Sequence, residues 1–379
     1  MKNIVVLSTE PWGKILLSKM HFAIQLAKQG NNVYFVNTPT DINTYRKINV
    51  DNNPLICITV IDLKKIRWNL FFRHKLFNLY KQLSKRYVKI IQQIIGGKIN
   101  EVWCFDPHVY VDLKLFNSDK TILMLYDFYK GQHVFKAAKS ADAIISISQL
   151  ILDYYQNTFA PKLLLQHGLG EQFTHIAIKN FKDLDKNIFY RDKIRIGYMG
   201  NLLRAINVNL AKEIIEQHTD KEFHFWGPYS LTDNNVTSKN IIIEKEFTYF
   251  IEFLKNQKNV FLHGIKEQKI LAIELNKMDA FLFLYSANSD MNQASNSHKI
   301  LEYLSTGKVT VSTYVSNYTK SNLLVMSKPN RDKDLPELFH KVINNLPFYN
   351  SANERKKRIL FALDNTYVRQ IEKIRNFIY

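Results

Sequence analysis

Two periods alternate along this chain. Short apolar runs at residues 4–8, 33–36, 55–61, 101–105, 121–126 and 143–148 predict strands buried on both faces. Between the first two, Leu16, Met20, Phe22, Ala23, Leu26 and Ala27 fall at helical spacing over 15–29, and Gly30 stands where a helix would end. From Leu76 a further helix is expected, with Leu79, Tyr80, Leu83, Tyr87, Ile90, Ile91 and Ile94 on its inner side. Residues 172–193 are charged and lack a strong period, which reads as a linker. The alternation then restarts, with strands at 194–198, 222–226, 259–263 and 279–285, a helix over 208–217, and helical spacing over 335–345 and 354–379. Alternating strands and helices predict a parallel sheet, and the restart predicts a second one.

Both patterns meet in residues 296–315, NSHKILEYLSTGKVTVSTYV. Ile300, Leu301 and Leu304 share the buried side of a helix over 297–305, Gly307 ends it, and 309–313 reads as a buried strand. Asn296, Ser297, His298 and Lys299 fall at the helix start, where free N–H groups and the positive dipole end favour a phosphate. Glu302 shares a face with Lys299 and His298, at i,i+3 and i,i+4. A cation over phosphate with a carboxylate below suits a nucleoside diphosphate, the carboxylate accepting from ribose hydroxyls. A capped helix with a Lys–Glu surface pair is the plainer alternative, and spacing alone leaves both open.

Ligands of open α/β sheets gather at the carboxyl ends of the strands. The loops after two predicted strands therefore supply Asp106, His108 and Asp127 as candidate bases, although loop aspartates also serve as turn formers. After the strand at 194–198, Gly200 permits close backbone approach and Arg204 offers a bidentate phosphate contact, with a surface arginine as the alternative. Trp12, in the first loop, either stacks on a ligand or shields the loop. Neither GxGxxG nor GxxxxGK[ST] occurs.

Composition narrows the class. A chain of 379 residues with 46% hydrophobic content has room for about two domains, each with its own core. The apolar run near the start is too short for a signal peptide, and no run approaches a membrane span. Cys57 and Cys104 have neither CxxC nor Cys/His spacing, so no disulfide framework or zinc site is expected and a cytoplasmic location is. The formal charge of +18 is uneven, for residues 64–98 hold ten Lys/Arg and no acid, with Trp68, Phe71 and Phe72 among them. Either a sheet-packed helix carries solvated lysines there, or the segment faces an anionic membrane from the cytoplasmic side. No nucleic-acid partner is expected, since the aromatics follow helical spacing and no RNA or DNA module is visible.

The segment SHKILEYLSTGKVTVS resembles the C-terminal signature of GT-B glycosyltransferases, most closely those of glycosyltransferase family 4. It matches their "PxKxxEYLAxGxPVV" pattern at Lys299, Glu302, Tyr303, Leu304, Gly307 and Val309, while Ala294 stands where the family often has a second glutamate. HFAIQLAKQGNNVYFVNTP is similar to the family's first helix and second strand, and NTYVRQIEKI to the start of its last helix. The resemblance implies an α/β GT-B fold of two Rossmann-like domains facing across a cleft, with a C-terminal helix returning to the N-terminal domain. The expected divisions are 1–175 for acceptor binding, 190–350 for the nucleotide sugar and 351–379 for the crossover helix. It further implies sugar transfer from a nucleoside diphosphate sugar to a saccharide or lipid-linked hydroxyl acceptor in surface-polysaccharide assembly. Gly200, Arg204, Asn296, Ser297, His298, Lys299 and Glu302 would hold the donor. No cofactor is expected beyond the donor substrate, and no metal, since protein cations can serve and no DxD motif appears in the expected loop setting. An epimerase acting on the same donor on this scaffold is the rival reading.

Overall fold

The computed structural model describes residues 1–13, 16–49, 57–66, 77–186, 192–203, 206–230, 245–285 and 297–379. They fall into two compact units, Met1–Gly168 with Tyr367–Tyr379 as unit 1, and Leu169–Thr366 as unit 2.

Unit 1 is organised on β1 (Asn3–Leu7), β2 (Asn32–Val36), β3 (Arg46–Asn49), β4 (Ile58–Asp62), β5 (Glu101–Cys104), β6 (Lys120–Leu125), β7 (Ala143–Ser146) and β8 (Lys162–Leu164). Their order is β3-β4-β2-β1-β5-β6-β7-β8, every neighbour parallel except β3, which runs antiparallel on β4. Ile4, Val5, Val6 and Leu7 are all fully buried, as a strand covered by helices on both faces requires. Those helices include α1 (Ser18–Lys28), α2 (Phe77–Ile95), α3 (Gln132–Ser140) and α4 (Gln149–Tyr154). On α2, Tyr80, Leu83, Tyr87 and Ile91 are buried as their spacing predicts, but Leu79 is 44% exposed. It flanks the inner stripe rather than belonging to it. The Tyr87 hydroxyl accepts from Ile66 N at 3.0 Å and donates to Lys64 O at 3.2 Å, fastening the chain after β4 to α2.

Unit 2 has six parallel strands, β9 (Arg195–Met199), β10 (Glu222–Trp226), β11 (Val260–Gly264), β12 (Ala280–Phe283), β13 (Val309–Ser312) and β14 (Val325–Met326), in the order β11-β10-β9-β12-β13-β14. Its helices are α5 (Glu171–Lys182), α6 (Val208–Gln217), α7 (Lys245–Asn256), α8 (Gln268–Leu275), α9 (His298–Ser305), α10 (Leu335–Asn344), α11 (Leu346–Tyr349) and α12 (Ala352–Asp364). The sheet separates two apolar layers. Ile196, Tyr198, Phe223, Phe225, Leu282 and Val311 pack on one side with α6 and α10, and Met199, Trp226, Phe281 and Phe283 on the other with α9.

Two expectations are corrected. Residues 172–193 are not a plain linker, because α5 occupies the first part, with Phe173 and Ala177 fully buried against unit 2. Phe173, Ile176 and Ala177 fall at i, i+3 and i+4 and pack on unit 2, a period confined to one turn within an otherwise polar and charged stretch. Asn180 on α5 also donates to Asn276 Oδ1 at 2.7 Å. The divisions accordingly fall after Gly168 and after Thr366 rather than at 175 and 350.

The tail is two helices rather than one. α12 stays in unit 2, burying Ile359 and Ala362, whereas α13 (Tyr367–Ile378) returns to unit 1, burying Tyr367, Ile371 and Ile374 beside α1. His21 of α1 stacks on Tyr367 at 4.7 Å. The buried Glu101 carboxylate draws both chain ends together, accepting from Lys2 Nζ at 2.8 Å, Trp103 Nε1 at 3.0 Å and the Tyr379 hydroxyl at 3.3 Å.

Candidate functional site

In unit 2 α9 forms where its sequence predicts a helix, while the loop before it lies outside the described residues. Ser297 is the N-cap of α9 and is buried, yet its hydroxyl does not cap the helix. Ile300 N bonds to Ser297 O at 3.2 Å, so the helix starts with ordinary backbone geometry. His298 is exposed on the first turn. Lys299 Nζ donates to the Tyr285 hydroxyl at 3.2 Å and lies 5.5 Å from the centre of that ring. The side chain is thus held at the carboxyl end of β12 by an aromatic group, not by an acid.

Glu302 is the unusual member. It is 7% exposed, and its Oε2 has no hydrogen-bond partner among the described residues. Burial pushes its carboxyl up to about 8, with Lys299 pulling partly the other way. The surface-pair alternative therefore does not describe this glutamate: the described residues show no ion pair between it and Lys299. A buried acid lacking a partner costs ~1–3 kcal/mol relative to a satisfied one, so its retention calls for a reason.

Neighbouring residues hold the strand ends rigid. Tyr303 accepts from Met199 N at 2.6 Å and donates to Met199 O at 3.3 Å, closing the end of β9 with a side chain from α9. Gly200 N donates to Trp226 O at 2.9 Å. Gly227 has φ 130°, and a Cβ there would lie 1.8 Å from Gly200 O, so the loops after β9 and β10 meet backbone to backbone. The close backbone approach seen at Gly200 is to Gly227. Arg204 and Asn296 lie outside the described residues.

Unit 1 carries a second cluster at the carboxyl ends of its strands. Asp106, after β5, is buried and its Oδ1 accepts from His108 N at 3.1 Å and Val109 N at 3.2 Å, the turn-forming role open to a loop aspartate. His108 Nδ1 lies 2.8 Å from His133 Nε2, and its ring meets Tyr129 edge-on at 4.6 Å. Asp127 is exposed, with Oδ2 accepting from the Tyr129 hydroxyl at 3.0 Å. Lys19, buried on α1, binds Glu10 and donates to Thr9 Oγ1 at 2.6 Å. Burial pulls its ammonium below the usual lysine value, while Asp127 and Asp106 pull it back up. The fold thus brings Asp106, His108 and Asp127 to one sheet edge, and adds Glu10, Lys19, Tyr129 and His133. Lys19 carried one signal in the sequence, a charge among the apolar positions of α1.

No family model matches this chain, and no curated protein does either. Solved structures do. An α,α-trehalose-phosphate synthase from Burkholderia xenovorans, in complex with glucose-6-phosphate, superposes with a TM-score of 0.69 at 10% identity, covering 99% of each chain. A sucrose-phosphate synthase from Thermosynechococcus elongatus gives 0.68 at 11% identity, over 100% of this chain and 99% of that one. HepE of Anabaena, in complex with UDP and glucose, gives 0.64 at 11% identity with the same coverage. These are GT-B glycosyltransferases, and the chain shares their fold from end to end.

Proposed function

We propose that this protein transfers a glycosyl group from a nucleoside diphosphate sugar to a hydroxyl acceptor, with unit 2 holding the donor. The observation that carries this reading is Glu302, a buried carboxylate whose Oε2 lacks a partner among the described residues, one turn inside a helix whose first turn carries Lys299. Ribose hydroxyls would satisfy the carboxylate, and the helix start with Lys299 would face the diphosphate. As the bond to the sugar breaks, negative charge grows on the leaving diphosphate, and fixed cations and dipoles stabilise it without reorganising. These groups serve in place of a metal ion. HepE, solved in complex with UDP and glucose, supports a nucleoside diphosphate sugar as the class of donor.

Unit 1 would receive the acceptor, with Asp106, His108 and Asp127 as candidates to orient or deprotonate its hydroxyl. A lipid-linked acceptor in surface-polysaccharide assembly is the finer reading, supported by the basic surface of this unit. Lys64, Lys65, Lys85, Arg86 and Lys89 are exposed, with Leu79 beside them on α2. Lys81 and Lys98 are excluded from that face by pairing with Asp112 at 2.8 Å and Asp119 at 2.6 Å. Among the described residues no helix is long and apolar enough to cross a membrane, so this docking would be peripheral. Liposome sedimentation tests it: changing Lys85, Arg86 and Lys89 together to Gln should abolish any preference for anionic over neutral vesicles.

The decisive experiment is calorimetry with UDP, GDP and ADP on the wild type and on Glu302→Ala. One diphosphate should bind, and the variant should lose ~1.5–3 kcal/mol of that affinity. Equal affinity in both proteins would remove the assignment. Donor turnover in the absence of any acceptor would favour the epimerase instead.

A further inference from the structure

Tyr198 lies on β9, in the apolar layer opposite α9. It is 2% exposed, and its hydroxyl has no hydrogen-bond partner. The ring leans along the strand: a Cβ built on Gly200 would meet the hydroxyl at 2.7 Å. The polar atom therefore reaches the level of the loop after β9 instead of ending within the core. There it adjoins the point where Gly200 and Gly227 meet. Burial raises the phenol well above its usual value, so the group keeps its proton and can donate. The nearby Gly200 N–H is already spent on Trp226 O.

Among the described residues, the buried polar atoms without partners at these strand ends include Ser312 Oγ, Glu302 Oε2 and the Tyr198 hydroxyl, and the last two have opposite needs. Glu302, once ionised, requires donors, which ribose hydroxyls supply. Tyr198 requires an acceptor, and the part of a nucleotide sugar rich in acceptors is the diphosphate. We propose that Tyr198 is a further donor-binding residue, its hydroxyl donating to a diphosphate oxygen at the carboxyl end of β9. This rests on the reading of unit 2 as the nucleotide-sugar site.

Tyr198→Phe removes a single atom and tests the assignment. Calorimetry would compare whichever of UDP, GDP and ADP binds the wild type with its parent nucleoside, alongside melting of the free proteins. The expected result is a loss of about tenfold or more for the diphosphate, the range for a hydrogen bond to a charged group. Affinity for the nucleoside should stay unchanged, and the free variant should melt no lower than the wild type. Unchanged diphosphate affinity with a lower melting temperature would overturn the proposal, showing that a buried water holds the hydroxyl. Equal losses for diphosphate and nucleoside would also overturn it, as general distortion. If Glu302→Ala weakens binding while Tyr198→Phe does not, this assignment falls alone. If the wild type binds no diphosphate, the donor-site reading falls and takes this one with it.

Discussion

The two units place polar residues at the same topological position, the carboxyl ends of parallel strands, but treat them differently. In unit 1 the charges are matched within the protein: Lys19 with Glu10 and Thr9, Asp106 with two backbone N–H groups, Asp127 with Tyr129. Unpartnered buried hydroxyls occur in both units among the described residues, at Tyr110 and Tyr126 in unit 1 and at Tyr198 in unit 2, so the contrast lies in the carboxylates: those of unit 1 named above are partnered, whereas Glu302 Oε2 in unit 2 is not. A matched cluster is preorganised and gains little from a ligand's charge. An unmatched one stores a penalty that a ligand with the right groups relieves. The contrast agrees with the proposal that unit 2 grips the donor and unit 1 receives the acceptor.

The largest test of this contrast uses pH. The Glu302 carboxyl titrates at about 8 in the folded protein against 4.5 for the ordinary group. Between those values the unfolded chain binds fewer protons, so the contribution of Glu302 to stability falls as pH rises. At ~1.4 kcal/mol per unit, the loss is on the order of 3–5 kcal/mol. Denaturant unfolding of the free protein should show it between pH 5 and 8 as a slope that Glu302→Gln removes. Diphosphate binding should tighten over the same range, because the ligand selects the ionised form. A next, smaller effect is expected in unit 1. Lys19→Met leaves Glu10 without its partner and should cost ~2–3 kcal/mol of stability, with diphosphate affinity unchanged by calorimetry. If that affinity fell as well, the division of labour between the units would be wrong. Least affected should be Asp127→Asn, within ~0.5 kcal/mol of wild type in thermal unfolding because the side chain is exposed. A drop in turnover at that constant stability would bring Asp127 into acceptor chemistry.

Much of this architecture was legible from periodicity. The strands of both sheets other than β3, β8 and β14, and helices α1, α6, α9 and α10, appear close to where apolar spacing puts them, because each buries a wide apolar face. β3 was not legible, since an edge strand reading Arg-Lys-Ile-Asn lacks the apolar run that marks its buried neighbours. Nor was α5, whose burial rests on Phe173 and Ala177 among lysines. At the site, Ser297, Lys299 and Glu302 stood out by their spacing on a helix start. Whether Glu302 was a surface charge or a buried one depends on packing around α9, which spacing does not report. The roles of Tyr303 and Tyr198 depend on which backbone atoms lie opposite their hydroxyls. That is fixed by strand order, and β9 and α9 are far apart in the chain.

The clasp at Glu101 bears on the order in which the protein can be made. Unit 2 is one continuous segment, whereas the core of unit 1 includes Tyr367, Ile371 and Ile374 from α13. Domains usually fold in the order they leave the ribosome. Here the first unit to emerge is the last whose core can close, because Tyr379 must arrive before Glu101 and Lys2 have their full set of partners. Until then, Phe22 and its neighbours on α1 lack the helix that covers them. A nascent chain paused before residue 367 would hold a finished unit 2 behind an unfinished unit 1, leaving the earlier-made unit in need of protection by a chaperone.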